Sequence, residues 1–231
     1  QLEAGGFSSL VDRDGVEWIG SAPGPTGGAE GAAHVYRGIP NLVNPDDVGH
    51  PGYRRCRSEV VHEADSVRIS TASNDGLWAW QWSITEGGAH LSVGRAPRDR
   101  TYWFLYEGTP AGRFDPERSF WGSDGEGRRD ELPDIFAGTA TGGAEITARR
   151  WAYFGHDDSP RVLLCSHDTS GGEPSFFAYM RADAVQGMCV FGFGRDQSEV
   201  PLSCLTGPHE FTVRFVENVD HHEIAREAIR G

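Results

Sequence analysis

Side chains able to move protons or hold ligands fall into four groups along the chain. The first runs Arg37-Gly38-Ile39-Pro40-Asn41, then His50-Pro51-Gly52-Tyr53, then Arg57-Ser58-Glu59. Proton-transfer groups stand here among glycine and proline, which shape loops that present functional residues from a rigid scaffold. The second is Tyr102-Trp103-Phe104-Leu105-Tyr106-Glu107-Gly108-Thr109-Pro110. A phenol and a carboxylate close an aromatic strand there, and strand alternation turns Tyr106 and Glu107 to opposite faces. The third pairs His156-Asp157-Asp158 with Ser166-His167-Asp168. The fourth is the indole series Trp78, Trp80 and Trp82, which alternation places on one face with Ile84.

A flat aromatic ring stacks well on the apolar face of a pyranose, and ligand pockets combine such rings with a few placed polar groups. With 7 Trp, 6 Tyr and 12 Phe, an oligo- or polysaccharide is the expected partner. The expected substrate contacts are Arg37, Asn41, Trp80, Trp82, Trp103, Tyr179 and Arg195, and the expected catalytic groups are His50, Tyr106, Glu107, Glu59 and His167. The indole series also fits a core facing a second sheet, with at least one ring bordering a cleft. A lyase needs a Tyr or His base and a group that neutralises a uronate. The loop of Arg37, Asn41 and His50 with Tyr106 or Tyr179 supplies that set. A hydrolase needs two carboxylates at a fixed separation, for which Glu59 and Glu107 are the candidates. The lyase set clusters better and is placed first. The alternatives are a sugar epimerase, a non-catalytic carbohydrate-binding module and a sandwich with no small ligand. No cofactor is expected. A divalent metal, were one bound, would use His156, Asp158, His167 or Asp168, although neither His/Asp group has a recognised ligand spacing.

Composition narrows the field. The net charge is -13, whereas phosphate backbones are held by clustered Lys and Arg, so nucleic acid is not an expected partner. Every basic residue is Arg and Lys is absent, which excludes an in-chain Schiff base, PLP anchoring and a P-loop. Cys56, Cys165, Cys189 and Cys204 form no CxxC pair and no zinc spacing. Cys165 and Cys189 sit in apolar runs as small hydrophobes, a reading placed ahead of two disulfides. No apolar run has the length of a membrane span. A secreted or periplasmic location is expected ahead of a cytoplasmic one; oligomeric state is not legible.

The elements that must position these groups are strands. Period-two alternation recurs at Ser58–His62, Ser66–Thr71, Leu77–Ile84, His90–Val93, Tyr102–Glu107, Trp151–Phe154, Val162–Ser166, Phe176–Met180, Met188–Phe193 and Phe211–Val216. Gly6–Val11 and Val16–Ile19, joined by Asp12-Arg13-Asp14-Gly15, read as a hairpin. The Pro-, Gly- and Asn-rich stretch up to Tyr53 and the run 108–143 read as loops. Only His221–Arg230 has helical character, capped by Asp220. The whole gives an all-β, antiparallel β-sandwich with a short C-terminal helix, one domain over residues 1–231.

Gly5-Gly6-Phe7-Ser8-Ser9-Leu10 with Asp14-Gly15-Val16-Glu17-Trp18 resembles the first hairpin of galactose-mutarotase-like sugar proteins, over about the first twenty residues. The resemblance implies a β-sandwich that binds sugars on a concave sheet. It also implies a superfamily that includes epimerases, in an architecture shared with polysaccharide lyases and glycoside hydrolases. A jelly-roll lyase-like sandwich suits the length better than the full mutarotase architecture.

Overall fold

The computed structural model describes residues 6–19, 38–43, 56–112, 115, 117–130, 144–146, 150–168, 175–180, 188–195 and 204–230. Its strands are β1 (Gly38–Val43), β2 (Cys56–His62), β3 (Val67–Ser73), β4 (Ala79–Thr85), β5 (Gly88–Arg95), β6 (Trp103–Gly108) and β7 (Ser119–Ser123), then β8 (Ala144–Ile146), β9 (Trp151–His156), β10 (Arg161–His167), β11 (Ser175–Met180), β12 (Met188–Phe193) and β13 (His209–Glu217). Among the described residues an α-helix, α1 (His221–Arg230), follows them. A five-stranded sheet has the order β1-β6-β12-β11-β8, and an eight-stranded sheet the order β2-β3-β4-β5-β13-β10-β9-β7. All pairings are antiparallel.

The sheets pack face to face because each strand turns its alternate large apolar residues inward. Trp80 and Trp82 of β4, Leu91 and Val93 of β5, and Phe154 of β9 meet Phe104 and Tyr106 of β6 and Phe191 and Phe193 of β12 in one buried cluster. Aromatic pairs cross the seam: Phe104 on Phe211 at 4.7 Å between centroids, and Phe154 against Phe191 at 5.1 Å. The four cysteines are free thiols, with Cys165 and Cys189 buried in this core.

Three local expectations are revised. β1 lies in a stretch that reads as loop; it is an edge strand, where a proline lacking an N–H is tolerated, and its register shifts between Gly38 and Asn41. β7 lies inside the run that reads as loop, with all five residues buried. The first hairpin is reduced to a single bridge between Val11 and Glu17. There Asp12 Oδ1 accepts the amides of Asp14 and Val16, and Glu17 Oε1 accepts those of Leu10 and Ile19. Side-chain carboxylates thus take the amides that a strand ladder would have used.

The predicted helix is present and capped by Asp220, whose Oδ1 accepts the His222 and Glu223 amides at 2.8 and 3.0 Å. Its Ile224 packs on Phe120, Trp151, Tyr153, Val162 and Leu164, covering the outer face of β7, β9 and β10. Among the described residues no helix is long and apolar enough to cross a membrane.

Candidate functional site

The five-stranded sheet carries a second buried layer on its outer face. With Phe104 and Tyr106 turned into the core, alternation sends Trp103, Leu105 and Glu107 outward. On β12, Met188 and Val190 do the same, and with Trp103 and Leu105 they form an apolar cluster separate from the intersheet core. Register sets Glu107 opposite both Val190 and Gly38, and Leu105 opposite both Gly192 and Asn41.

Polar groups are embedded in this layer. Glu107 is 8% exposed and Trp103 7%. Among the described residues, the Trp103 indole Nε1 is buried without a hydrogen-bond partner, as is the hydroxyl of Thr109, two residues beyond Glu107. A buried donor without an acceptor costs about 1–3 kcal/mol. The Arg195 guanidinium carbon lies 5.6 Å from the Trp103 ring centroid, within cation–π range. Gly192 makes room between them: a Cβ there would come within 3.3 Å of Trp103 Cδ1 and 3.2 Å of Arg195 Cβ. The indole N–H and the guanidinium thus stand at one end of this apolar face and the Glu107 carboxylate about 13 Å along β6.

The other predicted residues whose side chains are described do not join this group. Trp80 and Trp82 are 3% and 0% exposed and belong to the intersheet core cluster on the other sheet. Tyr106 is fully buried, and its hydroxyl donates to the Trp18 carbonyl at 2.9 Å. His167 is buried at the end of β10, stacked on Phe211 at 4.7 Å with its Nε2 2.9 Å from His209 Nδ1. Glu59 stands exposed on β2, in an open groove of about 590 Å³ lined also by Arg57, Ser70, Gln81 and Ser92. Glu59 and Glu107 therefore belong to different sheets, so the carboxylate pair proposed for hydrolysis is not assembled. For Asn41 and Tyr179 only the backbone is described, paired with Leu105 and Cys189. Arg37 and His50 lie outside the described residues.

The four metal-ligand candidates are also dispersed. His156 Nδ1 accepts the Asp158 amide at 3.1 Å and lies 4.0 Å from Asp158 Oδ2. Asp158 pairs with Arg118, and His167 faces the core. Among the described residues, Asp168 alone of the four belongs to a group with ligand-like separations, together with His90 and Glu210. Neither of those two was foreseen, because their proximity arises from the pairing of distant strands. Gly192 was missed for the same reason.

No family model and no curated protein matches the chain. Among solved structures it is similar to a galactose mutarotase-like protein from Lactobacillus casei, at 11% identity and a TM-score of 0.57 over 94% of this chain and 95% of that one. It is also similar to the α-N-acetylgalactosaminidase NagBb from Bifidobacterium bifidum in complex with GalNAc, at 14% identity and a TM-score of 0.50, covering 94% of this chain and 34% of that one. The Gal-NHAc-DNJ complex of the same enzyme gives a TM-score of 0.53 at 14% identity, over 95% and 36%. The chain thus spans about a third of the galactosaminidase's length. At these identities the likeness shows the fold: a galactose-mutarotase-like β-sandwich.

Proposed function

We propose, from this shared sandwich, that the chain binds a saccharide over Trp103, Glu107 and Arg195 and that Glu107 is its proton-transfer group. The observation that carries the reading is the burial of a carboxylate and an open indole N–H on the same outer face of β6, four residues and so about 13 Å apart over an apolar floor, with a guanidinium against the ring. Fold neighbours that include a mutarotase-like protein and a galactosaminidase complexed with GalNAc support a carbohydrate ligand. Interconversion of sugar anomers fits this set better than two-carboxylate hydrolysis, because it needs one acid–base pair and no positioned water on the opposite side of the ring. It also fits better than a Tyr106-based elimination, since that phenol faces the core. His50 is the proposed partner acid, with Arg37 and Asn41 as further contacts.

The test combines a panel of free sugars with exchange NMR, which reads the rate of anomer interconversion, and with absorbance at about 235 nm for unsaturated products of a lyase. Loss of a proton-transfer group costs about 10²–10⁴-fold. Glu107→Gln is expected to abolish the acceleration within that range while saccharide binding stays within a few-fold. Trp103→Phe is expected to weaken binding. Full activity in Glu107→Gln, or unchanged affinity in Trp103→Phe, would overturn the assignment.

A further inference from the structure

We infer that His90, Asp168 and Glu210 form a binding site for a divalent transition-metal ion of the zinc class on the outer face of the eight-stranded sheet. This site is separate from the saccharide face, which belongs to the other sheet, and stands or falls independently of it.

The three side chains come from adjacent strands. Register sets His90 of β5 opposite Thr212 of β13, and Glu210 of β13 opposite Ser92 of β5. Asp168, just past β10, donates its amide to the Glu210 carbonyl at 2.9 Å. Paired strands fix such positions more tightly than loops do. His90 Nε2 lies 3.7 Å from Asp168 Oδ2 and 3.8 Å from Glu210 Oε2. One ligand atom from each residue lies within 4.8 Å of the others. With two edges of 3.7 and 3.8 Å and a third of at most 4.8 Å, the point equidistant from the three atoms lies no more than about 2.4 Å from each, near the zinc–nitrogen and zinc–carboxylate bond lengths of about 2.0–2.2 Å.

The surrounding charges favour a bound cation. Elsewhere acidic side chains meet guanidinium groups: Asp158 meets Arg118, Asp130 and Asp157 meet Arg128, Asp14 meets Arg161, and Glu217 meets Arg13. At this site no guanidinium reaches either carboxylate among the described residues. The nearby Arg214 is turned toward the Glu227 carbonyl on α1. The Thr212 hydroxyl donates to Asp168 Oδ2 at 3.2 Å and orients it, as outer-shell partners of metal ligands do. One imidazole with two carboxylates suits zinc, manganese or iron, whereas calcium takes oxygen ligands alone. All three side chains are more than a third exposed, so the remaining coordination positions face solvent and would be filled by water.

The rival is a protonated imidazole shared between two surface acids, with no affinity for metal. Isothermal titration of the chelator-treated chain with ZnCl2 at about pH 7.5 separates the two, with CaCl2 as the control. The site predicts saturable one-to-one zinc binding, no calcium heat, and at least a tenfold loss of affinity in both His90→Ala and Glu210→Gln. Because these side chains are exposed, thermal melts of the metal-free variants should match the parent and certify folding. Absence of saturable zinc binding, or zinc binding of equal strength in His90→Ala and Asp168→Asn, would overturn the inference.

Discussion

Replacing Tyr106 by phenylalanine removes a hydroxyl buried between the sheets. The ring stays in the core against Phe154, 5.5 Å between centroids, and the bond to the Trp18 carbonyl is lost. That carbonyl keeps the Thr109 amide, which donates to it at 3.0 Å, so no acceptor is stranded. Nor is there room for a replacement water nearby: a Cβ on Gly108 would already come within 2.5 Å of the Trp18 oxygen. The change therefore removes one net buried hydrogen bond, worth about 1 kcal/mol, without the larger penalty of an unsatisfied partner. For a chain of this size that corresponds to roughly 2–4 °C in Tm. Calorimetry of the variant and its anomer-exchange rate on the best sugar from the panel are the two readouts. The expected pair is a small fall in Tm and an unchanged rate. A rate lowered a hundredfold with unchanged Tm would place Tyr106 in the chemistry and refute the inward assignment of that strand face.

Three other outcomes follow from buried or paired groups. At Asp12, burial raises the carboxyl, but hydrogen bonds from the Trp18 indole and the Val16 and Asp14 amides, with the Arg161 charge, outweigh it and hold the group below the usual carboxylate range. Its contribution is present above the unfolded-state value near pH 4 and is lost as pH falls through the lower folded value. Asp12→Ala should cost about 2 kcal/mol at neutral pH and flatten the acid limb of the stability profile, as read by urea melts. At His221, burial and the neighbouring His222 pull the imidazole below its ordinary value, against a weaker pull from Asp220. The unfolded chain then takes the proton more readily, so stability is full above about pH 6.5 and declines as pH drops through the unfolded and then the folded value. Hydrogen exchange should show α1 loosening first, since His221 Nδ1 meets the Tyr153 hydroxyl at 3.1 Å, and His221→Gln should remove that dependence. Burial pushes the Cys165 and Cys189 thiols well above their usual range and Cys56 up to about 12. A thiol reagent at about pH 8 should modify Cys204 first, reaching Cys165 and Cys189 only on unfolding.

The β architecture was legible because most strands carry a strict period-two alternation, and α1 because Asp220 caps a run with one apolar side. Two strands were hidden by composition. In β1, Gly38 and Pro40 mimic a loop, and only the edge position makes the proline acceptable. In β7, Ser119–Ser123 reads Ser-Phe-Trp-Gly-Ser with no period-two pattern, and its burial depends on distant partners: Phe120 lies under the Arg128 guanidinium at 3.7 Å, and Gly122 leaves space for the Tyr153 ring. Alternation also separated Tyr106 from Glu107 correctly, but it could not say which face would be core. Trp103 and Trp82 look alike in sequence. One stands on the outer face and the other inside, because the sheets into which β4 and β6 pair are set by non-local contacts. The same limit hid His90 and Glu210, whose approach depends on β5 pairing with β13.

The most direct measurement of the central claim is an indole N–H spectrum of the nitrogen-15-labelled chain titrated with saccharides. The chain has 7 Trp, and Trp103→Phe assigns the resonance concerned. The account predicts that the Trp103 indole N–H shifts saturably with sugar, because its buried donor gains an acceptor, while Trp80 and Trp82 in the core stay fixed. A sugar that binds without moving the Trp103 resonance would contradict it.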